Sequence, residues 1–162
     1  MNETALLATI DGFLGVVETY ARGEAMKPKL RAATVFVVDD DPDVLLSLKF
    51  MLETEGFLVR TFASGPALLE SGLPAPVDCL IIDYKMPKMD GLDLVRHLRA
   101  REVLAPVVLI TGYPNDGVEA KAAATGVRHV VLKPHIDESL LTHLTAAMRE
   151  HDDGGGDLRQ GP

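Results

Sequence analysis

The chain has one cysteine, no tryptophan and few aromatic residues of any kind, and its basic residues are outnumbered, 16 Lys and Arg against 24 Asp and Glu. A single Cys79 excludes an internal disulfide and a cysteine-based zinc site, and fits a reducing, cytoplasmic setting. A formal charge of −8 and a pI near 5.0 argue against a nucleic-acid partner, which needs clustered Lys and Arg. The longest basic stretch, Lys27 to Arg31, is short. No apolar run is long enough to span a bilayer, and the apolar N-terminal segment carries Glu3, Asp11 and Glu18 without a positively charged start. Neither a signal peptide nor a membrane anchor is expected.

What the chain does contain is an alternation. Residues 4 to 22 set Leu6, Leu7, Ile10, Phe13, Leu14, Val17, Tyr20 and Ala21 at the spacing of an amphipathic helix, weakened by Gly12 and Gly15. A linker with Pro28 follows, so residues 1–33 read as a helical extension. From residue 34 short apolar runs alternate with helix-like segments. Strands are predicted over 35–38, 57–62, 77–82, 107–110 and 127–132, with helices over 42–55, from 64, over 90–101, 115–125 and 136–149. Continuous apolar runs indicate strands covered on both faces. The fold class is therefore α/β, a doubly wound five-stranded parallel sheet over residues 34–149. Residues 150–162, with Asp152, Asp153 and three glycines, read as a flexible acidic tail.

Four of the runs stop at residues suited to phosphate chemistry. Val35 to Val38 leads into Asp39, Asp40 and Asp41; Cys79 to Ile82 into Asp83; Val107 to Ile110 into Thr111; Val130 to Leu132 into Lys133. In a parallel sheet these C-terminal ends share one edge, where open α/β sheets bind ligands. Each has an ordinary reading alone: a helix cap, a strand-terminal polar residue, a turn threonine, a loop lysine. Together they bring carboxylates, a hydroxyl and an ammonium to one place. Carboxylates this close need a proton or a cation between them, and hard oxygen ligands select magnesium, with manganese as the alternative. Asp41 and Asp43 sit where a helix begins at Pro42 and are explained as first-turn residues. His97, His143 and His151 read as solvated helix residues, since nothing pairs them at metal spacing.

These motifs, Val35-Phe-Val-Val-Asp-Asp-Asp-Pro-Asp43, Ile82-Asp-Tyr-Lys-Met-Pro-Lys-Met-Asp-Gly91, Leu109-Ile-Thr-Gly112 and Val131-Leu-Lys-Pro134, closely resemble those of the CheY-like response-regulator receiver domain of bacterial two-component signalling. The resemblance covers residues 34 to 149 and implies the flavodoxin-like (βα)5 fold. It also implies that Asp83 accepts phosphate from a sensor histidine kinase or a histidine phosphotransfer protein. Asp40 and Asp83 would hold magnesium directly, Asp39 through water, and Lys85 through its backbone carbonyl. Lys133 would clamp the phosphoryl oxygens and Thr111 would act as the switch hydroxyl. Lys85 and Tyr113 stand where family members tune phosphate lifetime. Such a domain is not an enzyme beyond catalysing its own phosphorylation and dephosphorylation.

Two positions depart from the family pattern. The aromatic that usually reports phosphorylation is Val130 here, and His129 cannot replace it because a one-residue shift reverses the face. His135 follows the Lys133-Pro134 pair, whose peptide is commonly cis in the family, where Phe is frequent. Only 13 residues follow residue 149, too few for a DNA-binding output domain. Output is therefore expected through a downstream protein not named by the sequence, through phosphate relay, or through self-association by the N-terminal helix or the helix 4, strand 5 and helix 5 face. Translation starting at Met26 would remove that N-terminal helix. The rival reading is a magnesium-dependent aspartyl-phosphate phosphatase, which would place its nucleophile in the first strand motif and carry a cap insertion.

Overall fold

The computed structural model describes residues 32–73, 76–113, 117–133 and 137–154. The N-terminal amphipathic segment, Met26, Pro134, His135 and the tail from 155 onward lie outside the described residues.

Five strands form one parallel sheet: β1 (Thr34–Val38), β2 (Leu58–Phe62), β3 (Cys79–Asp83), β4 (Val107–Thr111) and β5 (His129–Leu132), in the order β2-β1-β3-β4-β5. Helices α1 (Pro42–Thr54), α2 (Gly65–Glu70), α3 (Gly91–Ala100), α4 (Val118–Ala124) and α5 (Asp137–Gly154) connect or follow them. The order reverses between β1 and β3. This switch point is where the crossovers diverge and leave a crevice above the strand ends.

Alternation along each strand explains why the runs are apolar throughout. Phe36, Val38, Leu80, Ile82 and Leu109 pack with Leu68, Leu94, Val95 and Leu98 on one face, beneath α2 and α3. Val35, Val37, Cys79, Ile81, Val108 and Ile110 pack with Leu48, Leu52, Leu140 and Leu144 on the other, beneath α1 and α5. With both faces covered, neither parity can be polar. Only the two edge strands keep exposed positions, Leu58 and Arg60 on β2 and Leu132 on β5.

Local chemistry sets the helix starts. Asp41 caps α1 by accepting from the Asp43 N–H at 2.9 Å, with Pro42 in the first turn. Ser64 caps α2 through the Ala67 N–H and Asp90 caps α3 through the Asp93 N–H. Gly56, at φ 89°, follows the end of α1 in a left-handed conformation that disfavours a side chain.

Several boundaries differ from those predicted. β3 starts at Cys79 rather than 77, because Asp78 is occupied elsewhere: its carboxylate accepts from the Thr34 N–H at 2.7 Å, and its own N–H donates to the Thr34 carbonyl. β3 and β4 each run one residue further than expected, so Asp83 and Thr111 are the last strand residues and not the first loop residues. β5 starts at His129 rather than 127. α5 continues to Gly154, placing the first five residues of the expected tail, 150 to 154, in helix. Ala147 is buried under the sheet and Glu150 engages His129 and Arg128, contacts that carry the helix past residue 149.

Candidate functional site

Asp39 leaves β1 directly beside the crevice, and its Oδ1 accepts from the Asp41 N–H at 2.9 Å. The same residue whose side chain caps α1 thus fixes Asp39 with its backbone. Asp83 ends β3, opposite Ile110 of β4 in the register, and Thr111 ends β4 opposite Leu132. Lys133 follows β5, its N–H donating to the Thr111 carbonyl at 2.9 Å. The strand ladders therefore bring residues from four strand ends to one edge, and Asp39, Asp83 and Thr111 are buried there while Asp40 is exposed.

The carboxylates of Asp39, Asp40 and Asp83 each offer an oxygen, and these oxygens all lie within 4.8 Å of one another. The ammonium of Lys133 sits 3.3 Å from Asp39 Oδ2 and 3.2 Å from Asp83 Oδ1. One cation against three carboxylates leaves the cluster strongly negative. Burial, then the neighbouring Asp39 charge, pushes the Asp83 carboxyl up to about 6, with Lys133 opposing the rise. Burial alone would lower the Lys133 ammonium, but Asp83 and Asp39 outweigh it and hold Lys133 above its ordinary value. An all-oxygen donor set with a charge deficit fits a hard divalent cation, held by Asp39, Asp40 and Asp83.

The flanks of the site are equally specific. The Thr111 hydroxyl accepts from the Tyr113 N–H at 3.0 Å, and Tyr113 is 56% exposed at the crevice rim. Lys85 Nζ lies 5.1 Å from the Tyr113 ring centroid and 5.8 Å from that of Tyr84, so the β3 and β4 loops meet through a cation over aromatic faces. Val130 is half-buried against the core layer of α2 and α3. His129 points to the opposite face, where its ring meets His143 of α5. The two residues do divide between faces as their parity requires.

Sequence reasoning did not assign a role to Gly91. Its N–H donates to the Tyr84 carbonyl at 2.8 Å, and a β-carbon there would meet the Asp83 carbonyl oxygen at 2.5 Å. The loop after Asp83 can fold back over the strand end only without a side chain at this position. A glycine in the first turn of the helix predicted over 90–101, directly after Asp90, was the available signal. Also unforeseen was that the Lys133 ammonium joins Asp39 to Asp83.

Comparison with known proteins agrees with this architecture. The family model "Response regulator receiver domain" matches residues 35–145. Over 114 residues the chain is 32% identical to the transcriptional regulatory protein FixJ of Azorhizobium caulinodans, covering 70% of this chain and 54% of that protein. It is likewise 32% identical over 119 residues to the response regulator protein TodT of Pseudomonas putida, covering 74% of this chain and 52% of that one. The chain thus spans about half the length of the curated relatives it matches. Among solved structures, chemotaxis protein CheY4 of Vibrio cholerae superposes with a TM-score of 0.67 at 27% identity, over 72% of this chain and 98% of that one. With its sheet order, its strand-end cluster and this family match together, the chain belongs to the response regulator receiver domain family of two-component signalling.

Proposed function

We propose that Asp83 accepts a phosphoryl group from a phosphohistidine of a sensor kinase or phosphotransfer protein. The observation carrying this reading is the cluster of three carboxylates within 4.8 Å whose innermost members share the Lys133 ammonium. An Asp83 oxygen attacks phosphorus, the phosphorus–nitrogen bond breaks, and the imidazole leaves as the neutral base after taking a proton. Magnesium, held by Asp39, Asp40, Asp83 and the Lys85 carbonyl, would neutralise charge on the phosphoryl oxygens. Lys133 is positioned to follow the negative charge from carboxylate to phosphoryl group. Thr111, at the adjoining strand end, would exchange its bond from the Tyr113 N–H for one it donates to a phosphoryl oxygen.

That exchange supplies the signal. Drawing in the Thr111 hydroxyl frees the Tyr113 backbone and shifts a two-state equilibrium of the adjoining surface. Tyr113 and Lys85, stacked at the rim, govern water access and so phosphate lifetime. The domain acts once per phosphate and is not an enzyme toward other substrates. Its output passes through contacts with a downstream protein. No described helix is long and apolar enough to cross a membrane.

Intact-mass analysis with acetyl phosphate and magnesium tests the reading. Wild type should gain one phosphoryl adduct and Asp83→Asn none. No adduct on wild type, where a control receiver reacts, would overturn phosphoacceptance; an adduct surviving in Asp83→Asn would overturn the choice of residue.

A further inference from the structure

β5 and α5 bring together three titratable side chains that the phosphate site does not use. His129 opens β5, and His143 and Glu150 lie two helical turns apart on one face of α5. Sequence spacing gave no hint of a histidine pair, because the partners come from different elements. In the structure His129 Nδ1 and His143 Nδ1 are 3.3 Å apart, with the rings at 68°. Glu150 Oε2 lies 3.3 Å from His129 Nε2 and 3.7 Å from the Arg128 guanidinium.

We propose that His129 and His143 bind a late first-row divalent cation, zinc being the test ion, through their two Nδ1 atoms. Two nitrogens bound to one tetrahedral zinc at about 2.0–2.1 Å each stand about 3.3 Å apart. The observed separation equals that edge. The outer contact has the right sense as well. A ligating histidine generally gives its other N–H to a carboxylate, which fixes the tautomer and strengthens the ligand, and Glu150 stands in that position on His129. With Nε2–H donated to Glu150, the His129 Nδ1 lone pair faces His143. On binding, His143 carries its proton on Nε2, and a small rotation of both rings aims the two lone pairs at one point.

Access and charge agree. His129 opens to a surface cleft of about 430 Å³ with Glu150 and His151, and His143 to a neighbouring one of about 570 Å³ with Glu119 and Val130. Solvent can therefore fill the remaining coordination positions, while Glu150 offsets part of the ion's charge. Imidazole selects zinc, copper or nickel, and the strand-end carboxylates select magnesium, so the two sites sort cations by ligand chemistry. An ion here would tie β5 to α5.

The test titrates zinc chloride into the 15N-labelled full chain in excess magnesium, reading the histidine ring nitrogens by long-range 1H–15N correlation. The Nδ1 resonances of His129 and His143 should move together at one equivalent, with those of His97 and His151 unmoved. By calorimetry, His143→Gln should weaken binding at least tenfold and Glu150→Gln about tenfold, with folding verified by the amide spectrum. Zinc uptake that leaves both Nδ1 resonances unmoved, an unchanged affinity in His143→Gln, or no uptake at submillimolar zinc would each overturn the proposal.

Discussion

Gly91 lies so close to Asp83 that a β-carbon on it would stand 2.5 Å from the Asp83 carbonyl oxygen, with Ile82 and Leu109 side-chain atoms at 3.0 Å. The contact is with backbone and with two strands of the central sheet, so it cannot be relieved by turning a side chain. Gly91→Ala should therefore destabilise the protein by about 1–3 kcal/mol, the usual cost of overpacking, despite the better helix propensity of alanine. It should also slow phosphorylation by acetyl phosphate, because relief requires the acceptor's own backbone to move. Urea denaturation and the rate of adduct formation check the two effects. A variant as stable as wild type would mean that the α3 start yields instead.

Lys133 touches both buried carboxylates, and its removal acts on Asp83 through a loss of opposing charge. In Lys133→Gln the burial of Asp83 and the Asp39 charge remain while the stabilising ammonium is gone. The Asp83 carboxyl should then titrate above its wild-type value of about 6 in metal-free protein, read by 13C NMR of the side-chain carboxyl. A downward move would contradict the assignment of Lys133 as its partner.

The raised Asp83 carboxyl also sets a stability profile. Its folded value of about 6 exceeds the ordinary carboxylate value, so between about pH 4 and 6 the folded state binds more protons than the unfolded state. Stability then falls as pH rises through that window, and the loss is complete above it. Asp83→Asn lacks this term. Metal-free Asp83→Asn should equal wild type near pH 4, exceed it increasingly up to about pH 6, and keep a constant advantage at neutral pH. Thermal melts across that range decide it; an advantage that shrinks as pH rises would reverse the sign and refute the argument.

The strand ends were legible because burial on both faces forces unbroken apolar runs, and Asp39, Asp83, Thr111 and Lys133 stand where those runs stop. Parity was legible too, since it separates Val130 from His129 without any coordinates. What the sequence concealed was pairing across elements: the His129 and His143 contact, the hold of Asp78 on Thr34, and the closeness of Gly91 to Asp83. Each depends on crossover geometry and not on spacing along the chain. The end of α5 was concealed for a related reason. Its last turns are polar and end in Gly154, and Glu150 stays helical through contacts with His129 of β5 that local propensity does not register.

Cys79 offers a probe of the whole domain. It lies in the central strand β3, fully buried, and burial pushes its thiol up to about 12. Since the thiolate is the reactive species, the native protein should resist thiol reagents at pH 8, and labelling should proceed only through global opening. The rate then measures the population of opened protein. Magnesium binding to the native carboxylate cluster lowers that population, by about 2.7 kcal/mol at a hundredfold excess over Kd, which corresponds to about a hundredfold slower labelling. Asp83→Asn should lose most of this magnesium effect while keeping Cys79 protected. Rapid labelling of folded wild type, or a rate indifferent to magnesium at saturation, would separate Cys79 exposure from global unfolding or remove the metal from the strand-end cluster.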